Sequence, residues 1–499
     1  MKKNFAAILI CFFVFTFAFI MGSGQAEAID KQLSTQILHL RINGHNIEIP
    51  LNSDGAFYDA QTLNTEFPNT FELLNKLEGV SIYIDGQKIS TQNPVKMKID
   101  KISYNKNIAI KVSDGSDIRT VYIRTLNSNI PTYTTAGQSP YEGDYYTTLL
   151  TFPIMLKFNK TGEIVYYQCA NDYINSTVGA KVIMSYWDFK KHVLPNGEVL
   201  YSYYEQSPQY NRLNQIGYAG GTHVIMDEKY NEIDRIKMIV DKNSSVDVVE
   251  GHEFYLIDKN HYIVSNYELR LVHNIPKELN PHPQGSKVVA THLQEIKDGN
   301  VLFDWYSTDH PELYAISENP YNDFANIKAQ QPDYAHFNSI DIDPNDGNFV
   351  CSFRNLSTIL KINRKTGNII WKLSGKADEF GLTDYQKTSN QHYARFTSDG
   401  YITIFDNGVF NKKSRVIKLK INEKEKTLTA WNEYIVPGHF SVICGNAMNL
   451  ENEVFVIGWG YSTDNFASMT EIDFGKGKKL FEITFPAGMN ATYRFAKYK

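Results

Sequence analysis

Four nitrogen-rich side chains stand at related places in the sequence: His252 after Gly251, His336 in Ala335-His336-Phe337-Asn338-Ser339, His392 in Gln391-His392-Tyr393, and Arg354. Each histidine opens a short apolar strand pattern, and Arg354 follows the Asp346-Gly347 turn on the next strand, so it points back toward the same end. If the fold gathers these openings, three imidazoles and a planar guanidinium form a cage for a small tetrahedral anion. A single histidine at a strand opening more commonly satisfies a backbone group, but three in equivalent slots point to chemistry. The competing reading is a metal site, since neutral imidazoles bind zinc or copper. Against it stand the missing His-x-His and His-x-x-x-His spacings, the lack of an obvious carboxylate ligand beside them, and the arginine, whose charge repels a cation. No metal and no cofactor are expected, and no Gly-rich phosphate loop offers a place for a nucleotide.

Elements that could bring such residues together follow from periodicity. After the N-terminus helical spacing is scarce, whereas alternating β-branched and aromatic runs bounded by Gly, Asn and Asp recur to the end, with 32 Tyr and 29 Phe. The chain therefore reads as all-β. A paired-strand pattern repeats six times, turning at Thr161-Gly162, Tyr230-Asn231, Asp298-Gly299, Thr366-Gly367, Glu423-Lys424 and Lys476-Gly477. The intervals, roughly 50 to 70 residues, match a propeller blade with its loops. Between them lies a second hairpin type, at Asn196-Gly197, Lys259-Asn260, Asp346-Gly347, Asp399-Gly400 and Glu451-Asn452, of which only five are complete. The sixth is accounted for if the last strand, Thr492–Tyr498, pairs with the chain near Tyr145 and so removes a free sheet edge. The expected catalytic domain is a six-bladed β-propeller over residues 136–499, with the inner-strand openings at the mouth of its channel. Residues 29–135, with turns at Asn43-Gly44, Asp85-Gly86 and Asp114-Gly115, read as a small N-terminal β-sandwich, and residues 129–140 as a linker.

Met1-Lys2-Lys3, the apolar run at 5–21 and Ala26-Glu27-Ala28 read as a signal peptide cleaved after Ala28. An exported protein is expected, periplasmic or secreted, with no membrane span after cleavage. Cys11 leaves with the signal; Cys169, Cys351 and Cys444 form neither a disulfide framework nor a metal motif, and whether two of them pair is open. A formal net charge of -5 without a basic cluster argues against a nucleic-acid surface. A homodimer is left open.

Taken in order, the motifs resemble those of the bacterial arylsulfate sulfotransferases. The resemblance is carried by Ala335-His336-Phe337-Asn338-Ser339-Ile340, Arg354 eighteen residues after that histidine, Gln391-His392, Ile404-Phe405-Asp406-Asn407-Gly408 and the closing Tyr493-Arg494, and it covers most of the mature chain. It implies transfer of a sulfuryl group from an aryl sulfate donor to a phenolic acceptor, without a nucleotide sulfate, by a ping-pong route through a sulfated histidine. On this resemblance His392 is the nucleophile, His336, Asn338 and Arg354 bind the sulfate, and His252 matches a further pocket histidine. The chain lacks the cysteine-containing insertion that some relatives carry before the nucleophile, so their oxidative folding requirement is not carried over.

The residues suit that chemistry. Sulfuryl transfer, like phosphoryl transfer, has a loose transition state, so positioning and charge neutralisation do most of the catalysis. A phenol ionises near pH 10, so the leaving phenolate is helped by a proton and the incoming phenol must lose one. His252 is assigned this acid/base role, with His336 as the alternative. Asp406-Asn407-Gly408 reads first as a tight turn, with Asp406 orienting an imidazole as the second reading. Cys444 falls at an inner-strand opening and reads as a buried thiol. Residues 306–334 are either an acceptor wall or a surface excursion, and His223, His261, His292 and His310 are assigned no role. A non-catalytic propeller that binds a glycan or protein, and a hydrolase that releases sulfate to water, are the alternative functions.

Overall fold

Alternation makes the N-terminal strands one-sided. In Ile37–Ile42 the residues Leu38, Leu40 and Ile42 are buried while His39 and Arg41 face the other way. The strand turns into His45–Pro50 at Asn43-Gly44, where both residues have positive φ (47° and 89°), as a two-residue turn that follows the strand twist requires. The structure, a computed structural model, describes residues 33–499 except 76, 90–94, 101, 151, 171–184, 207–219, 241–246, 327–329, 452 and 463–464. The segment read as a signal peptide, and one residue of the Glu451-Asn452 turn, lie outside the described residues.

The described chain is almost entirely β; Glu312–Ile316 is its single α-helical segment. Strands between 37 and 124 form one four-stranded and one five-stranded sheet. Six further sheets of four or five antiparallel strands follow, together with a two-stranded one formed by Ser441–Ile443 and Tyr461–Ser462. Their first strands are Thr492–Tyr498, Tyr186–Val193, Phe254–Asp258, Phe337–Ile342, His392–Phe396 and Asn446–Glu451. The C-terminal strand takes the first place in the sheet of Asp144–Leu149, Ile154–Phe158 and Ile164–Cys169, with Tyr145 opposite Lys497. Outer turns such as Thr366-Gly367 join third and fourth strands, and inner turns such as Asp399-Gly400 join first and second.

Apolar clusters lie between successive sheets. Val350, Ile359 and Trp371 pack on Ala394, Ile404 and Ile417; Phe405 and Val416 pack on Ala447, Phe455 and Ile457. Met469, Phe481 and Ile483 of the last sheet share a cluster with Tyr145, Leu156 and Phe495 of the first. Middle strands such as Phe349–Phe353 and Val454–Gly458 are buried at every position, because both faces are covered, and their sequences are correspondingly apolar apart from Ser352. Each large side chain buried this way contributes about 1.5–3 kcal/mol.

The junction with the N-terminal sheets differs from the expected linker. Thr134–Gly137 lies along Lys478–Thr484 as an antiparallel edge strand of the last sheet, and Thr62–Asn64 adds to the edge of the first, against Ile164–Cys169. Backbone groups that a free linker would leave to water are used in these ladders.

Candidate active site

The openings of the inner strands are tied together by buried side chains. Gln391, directly before His392, is fully buried and donates from Nε2 to Ser352 Oγ (3.1 Å) and Phe353 O (3.2 Å) of the neighbouring sheet. His336 has left-handed backbone (φ 56°), a state costing a non-glycine residue about 1–3 kcal/mol unless its surroundings fix it. They do: the Arg354 N–H donates to His336 O (2.7 Å) and the Asn355 N–H to Ala335 O (3.0 Å). His252 follows Gly251, where a Cβ would come within 2.5 Å of the Tyr204 ring and 2.7 Å of Trp187, so only glycine lets this segment lie on those aromatics. The Tyr493 hydroxyl and Arg494 Nη2 then donate to His252 O at 2.7 and 2.9 Å.

His252, His336, His392 and Arg354 line one cavity of about 630 Å³, together with Trp187, Glu318, Tyr321, Asn355, Asn390, Phe410, Cys444 and Tyr493 among others. The His252 and His336 rings stand edge to face with centroids 5.0 Å apart, and His336 stacks on Tyr267. Arg354 sits in the short turn Arg354–Leu356 just beyond the strand Phe349–Phe353, and its Nη1 donates to Asn355 Oδ1 (2.7 Å). Asn355 Nδ2 in turn donates to Asp333 Oδ2 (2.9 Å), which links the guanidinium to the carboxylate behind His336.

Each histidine is held through Nδ1 by an oxygen, but the oxygens differ. His252 Nδ1 meets Glu250 Oε2 (2.5 Å), His336 Nδ1 meets Asp333 Oδ2 (2.6 Å), and His392 Nδ1 meets Asn407 Oδ1 (2.6 Å). The Asn407 amide cannot be turned round, because its Nδ2 donates to Ser441 O and Cys444 O, both at 3.0 Å. Oδ1 therefore accepts, Nδ1 of His392 carries the proton, and Nε2 keeps its lone pair.

The electrostatics follow this division. Burial, then the Arg354 charge, hold His392 well below the usual imidazole range; the bond with Asn407 opposes them, and His252 and His336 add lesser lowering. Burial also lowers His336, although Asp333 opposes it. Burial would raise the Glu250 carboxyl, but its attraction to His252 and the bonds from His252 and Ser265 bring it below the ordinary carboxylate range. The Cys444 thiol is pushed up to about 12 by burial, and Cys169, Cys351 and Cys444 are all free and buried.

Several expectations are thereby corrected. Carboxylates do stand beside two of the histidines: Glu250 two residues before His252 and Asp333 three before His336. The residue that orients His392 is Asn407 and not Asp406, which instead pairs with Arg415 (2.9 Å) and accepts the Ser389 and Gly408 N–H groups. Asn338 is not among the cavity-lining residues; it is fully buried, donates from Nδ2 to Gln391 O (2.8 Å) and welds two inner strands. Of residues 306–334, Glu318–Tyr321 (318–321), Gln330, Gln331 and Asp333 line the cavity, while Leu313 and Tyr314 are buried in an apolar cluster. His292 lies between Glu268 and Asp304, and His261 against Glu295, away from the cavity lining.

Behind the cavity the first strands meet in a buried ion network. Arg494 donates to Asp188 (2.9 Å), Glu253 (3.2 Å) and Asn338 O (3.0 Å), while Lys190 and Arg395 also pair with Glu253. Among the described residues no three His, Cys, Asp or Glu side chains are grouped to hold a metal ion, and no helix is long and apolar enough to cross a membrane.

The family model for Arylsulfotransferase (ASST) matches residues 182–495. No curated protein matches the chain by sequence. Solved structures that resemble it include a protein of unknown function from Bacteroides caccae (12% identity, 72% of this chain and 100% of that one, TM-score 0.40). Others are dihydro-heme d1 dehydrogenase NirN in complex with DHE (9%, 75% and 83%, TM-score 0.34) and the Dos1 propeller (10%, 81% and 90%, TM-score 0.32).

Proposed function

The chain belongs to the arylsulfotransferase family, and on that premise we propose that it moves a sulfuryl group from an aryl sulfate ester to a phenol through a covalent intermediate on His392. We read the six successive sheets as the blades of a closed propeller that forms the catalytic domain over residues 136–499, with residues 29–135 as an N-terminal β-sandwich. The clusters between neighbouring sheets, and the C-terminal strand in the first sheet, support this reading. We also propose export, with residues 1–28 removed as a signal peptide.

The observation that carries the mechanism is the contrast between one amide-backed and two carboxylate-backed imidazoles. A carboxylate stabilises a protonated ring and suits a proton carrier; a neutral amide fixes the tautomer without drawing a proton onto the attacking nitrogen. His392, held neutral with its lone pair on Nε2, attacks sulfur. The N–S bond forms as the S–O bond to the aryl group breaks, and the electron pair leaves on the aryl oxygen, which takes a proton from His252. Arg354 neutralises charge on the sulfuryl oxygens, its guanidinium offering donors in one plane, and His336 lines the pocket beside it. Asn407 cannot remove the Nδ1 proton from the sulfated ring, so the ring stays electron-poor and remains a good leaving group. In the second half-reaction a phenol oxygen attacks sulfur, the pair in the N–S bond returns to Nε2, and the phenol proton goes to His252. Glu250 supports both proton transfers, and no cofactor is consumed.

The test is a burst experiment. With an aryl sulfate and no acceptor, the protein is expected to release about one phenol per chain, hold a sulfuryl group on a peptide containing His392, and discharge it when phenol is added. His392→Ala is expected to remove burst and label together, and His252→Ala to slow both half-reactions while still allowing label. Label on another residue would overturn the role of His392, and sulfate released to water without transfer to phenol would make the protein a hydrolase.

A further inference from the structure

The cavity wall contains a charged group that the sulfuryl-transfer steps do not use. Glu318 lines the cavity, its Oε2 is buried without a hydrogen-bond partner, and no Lys, Arg or His of the described residues pairs with it. Lys376, which reaches the same segment, gives its ammonium to Ser317 O instead. The segment is firmly held: the Glu318 N–H donates to Asn355 O (2.7 Å), Ser317 Oγ to Tyr334 O (2.7 Å), and Asn319 Nδ2 to Asp333 O (2.9 Å). These partners belong to the two stretches that carry Arg354 and Asp333, so the backbone of Glu318 is fixed beside them.

Two large aromatics stand on the same rim. Tyr321 is 85% and Phe410 61% exposed, and both line the cavity. Exposed rings beside an unpartnered carboxylate match a ligand with an aromatic body and a cationic end, because ring faces and the carboxylate both attract an ammonium group. We propose that Glu318 makes this site select phenolic acceptors that carry a protonated amine at the end remote from the hydroxyl, and turn away acceptors with a carboxylate there. This rests on the sulfuryl-transfer reading above. The phenol end lies toward His392 and Arg354, and the amine end meets the side of Glu318 that lines the cavity. A general-base role for Glu318 is the rival, since an unpaired carboxylate can also accept a proton.

The experiment compares kcat/KM for para-aminoethylphenol, para-propylphenol and para-carboxyethylphenol, which differ mainly in charge, using one chromogenic aryl sulfate as donor. The wild-type order is expected to be amine, then propyl, then carboxylate, with about tenfold or more between the first and last. Glu318→Gln, close in shape, is expected to compress that spread toward unity, and Glu318→Lys to invert it. An acceptor-free burst on each variant reports that the site has folded. A wild-type order that ignores charge, or a fall shared equally by all three phenols in Glu318→Gln, overturns the proposal, the second outcome marking Glu318 as a base. If no phenol discharges the labelled protein at all, it is the transferase reading that fails.

Discussion

Replacing Asn407 tests the reasoning at its narrowest point, because this side chain touches no substrate and acts only through His392. In Asn407→Ala the Nδ1 proton of His392 loses the acceptor at 2.6 Å, and nothing then prevents the proton from sitting on Nε2, the atom that must attack. As sulfur is attacked the ring gains positive charge, so the bond at Nδ1 becomes one from a charged donor, worth about 1.5–3 kcal/mol in such settings. At about 1.4 kcal/mol per tenfold, the burst rate should fall roughly 10- to 150-fold. Ser441 O and Cys444 O also lose their donor, so about 1–3 kcal/mol of stability should go with it, and thermal unfolding is measured before rates are compared. Asn407→Asp separates tautomer from charge. The wild-type ring, held far below its ordinary value, stays neutral across neutral pH and so adds no acid limb of its own to the burst rate. A carboxylate at the same place would raise that value, so protons would occupy Nε2 as the pH falls through it, and the burst would acquire an acid limb. A folded Asn407→Ala protein with a burst rate within threefold of wild type would refute the argument.

What the sequence made legible was whatever a single local rule decides. Asn43-Gly44 and Asp85-Gly86 name their turns because both residues must take positive φ, and the structure uses them so. The three histidines are legible because strand openings are visible in the pattern and each lies at one. Asn407 was not, since its turn role in Asn407-Gly408 already explains it and its imidazole partner lies fifteen residues earlier in another strand. Asn338 misleads for a geometric reason. Strict alternation would put it on the same face as His336, but the left-handed backbone at His336 and the register shift between Phe337 and Ser339 break that alternation. Glu250 and Asp333 stand two and three residues before their histidines, a spacing that matches no metal motif and so carries no signal of its own. The edge strand Thr134–Gly137 left no trace because all four residues are exposed and none needs to be apolar.

Three further outcomes bear on the site and its frame. Arg354→Lys keeps a charge but loses the planar pair of donors, so turnover should fall sharply even at saturating donor; steady-state kinetics with normal turnover would place Arg354 outside the transferring group. Activity should survive chelation and dialysis, and loss that one divalent metal restores would favour the metal reading. The frame behind the site is tested by Arg494→Met. Arg494 is 5% exposed and contacts Asp188, Glu253 and the carbonyl oxygens of His252 and Asn338, so it joins strands of four sheets and steadies the backbone of His252. Removing one partner from a buried ion network leaves the others uncompensated at a cost of about 3–5 kcal/mol, which denaturant unfolding would measure. The pH dependence gives a second reading. Burial opposes ionisation of Glu253, but Arg395, Arg494 and Lys190 together hold its carboxyl well below the ordinary range. A carboxyl depressed on folding adds stability that is fully present above its unfolded value, about 4.3, and is lost as the pH falls toward the folded one. Without Arg494 the two values move closer together, so the variant should be less stable at neutral pH and gain less on going there from acid. An Arg494→Met protein that unfolds within 1 kcal/mol of wild type (~1 kcal/mol being the reach of a surface pair) would mean that Lys190 and Arg395 suffice to hold Glu253 and the strands around it.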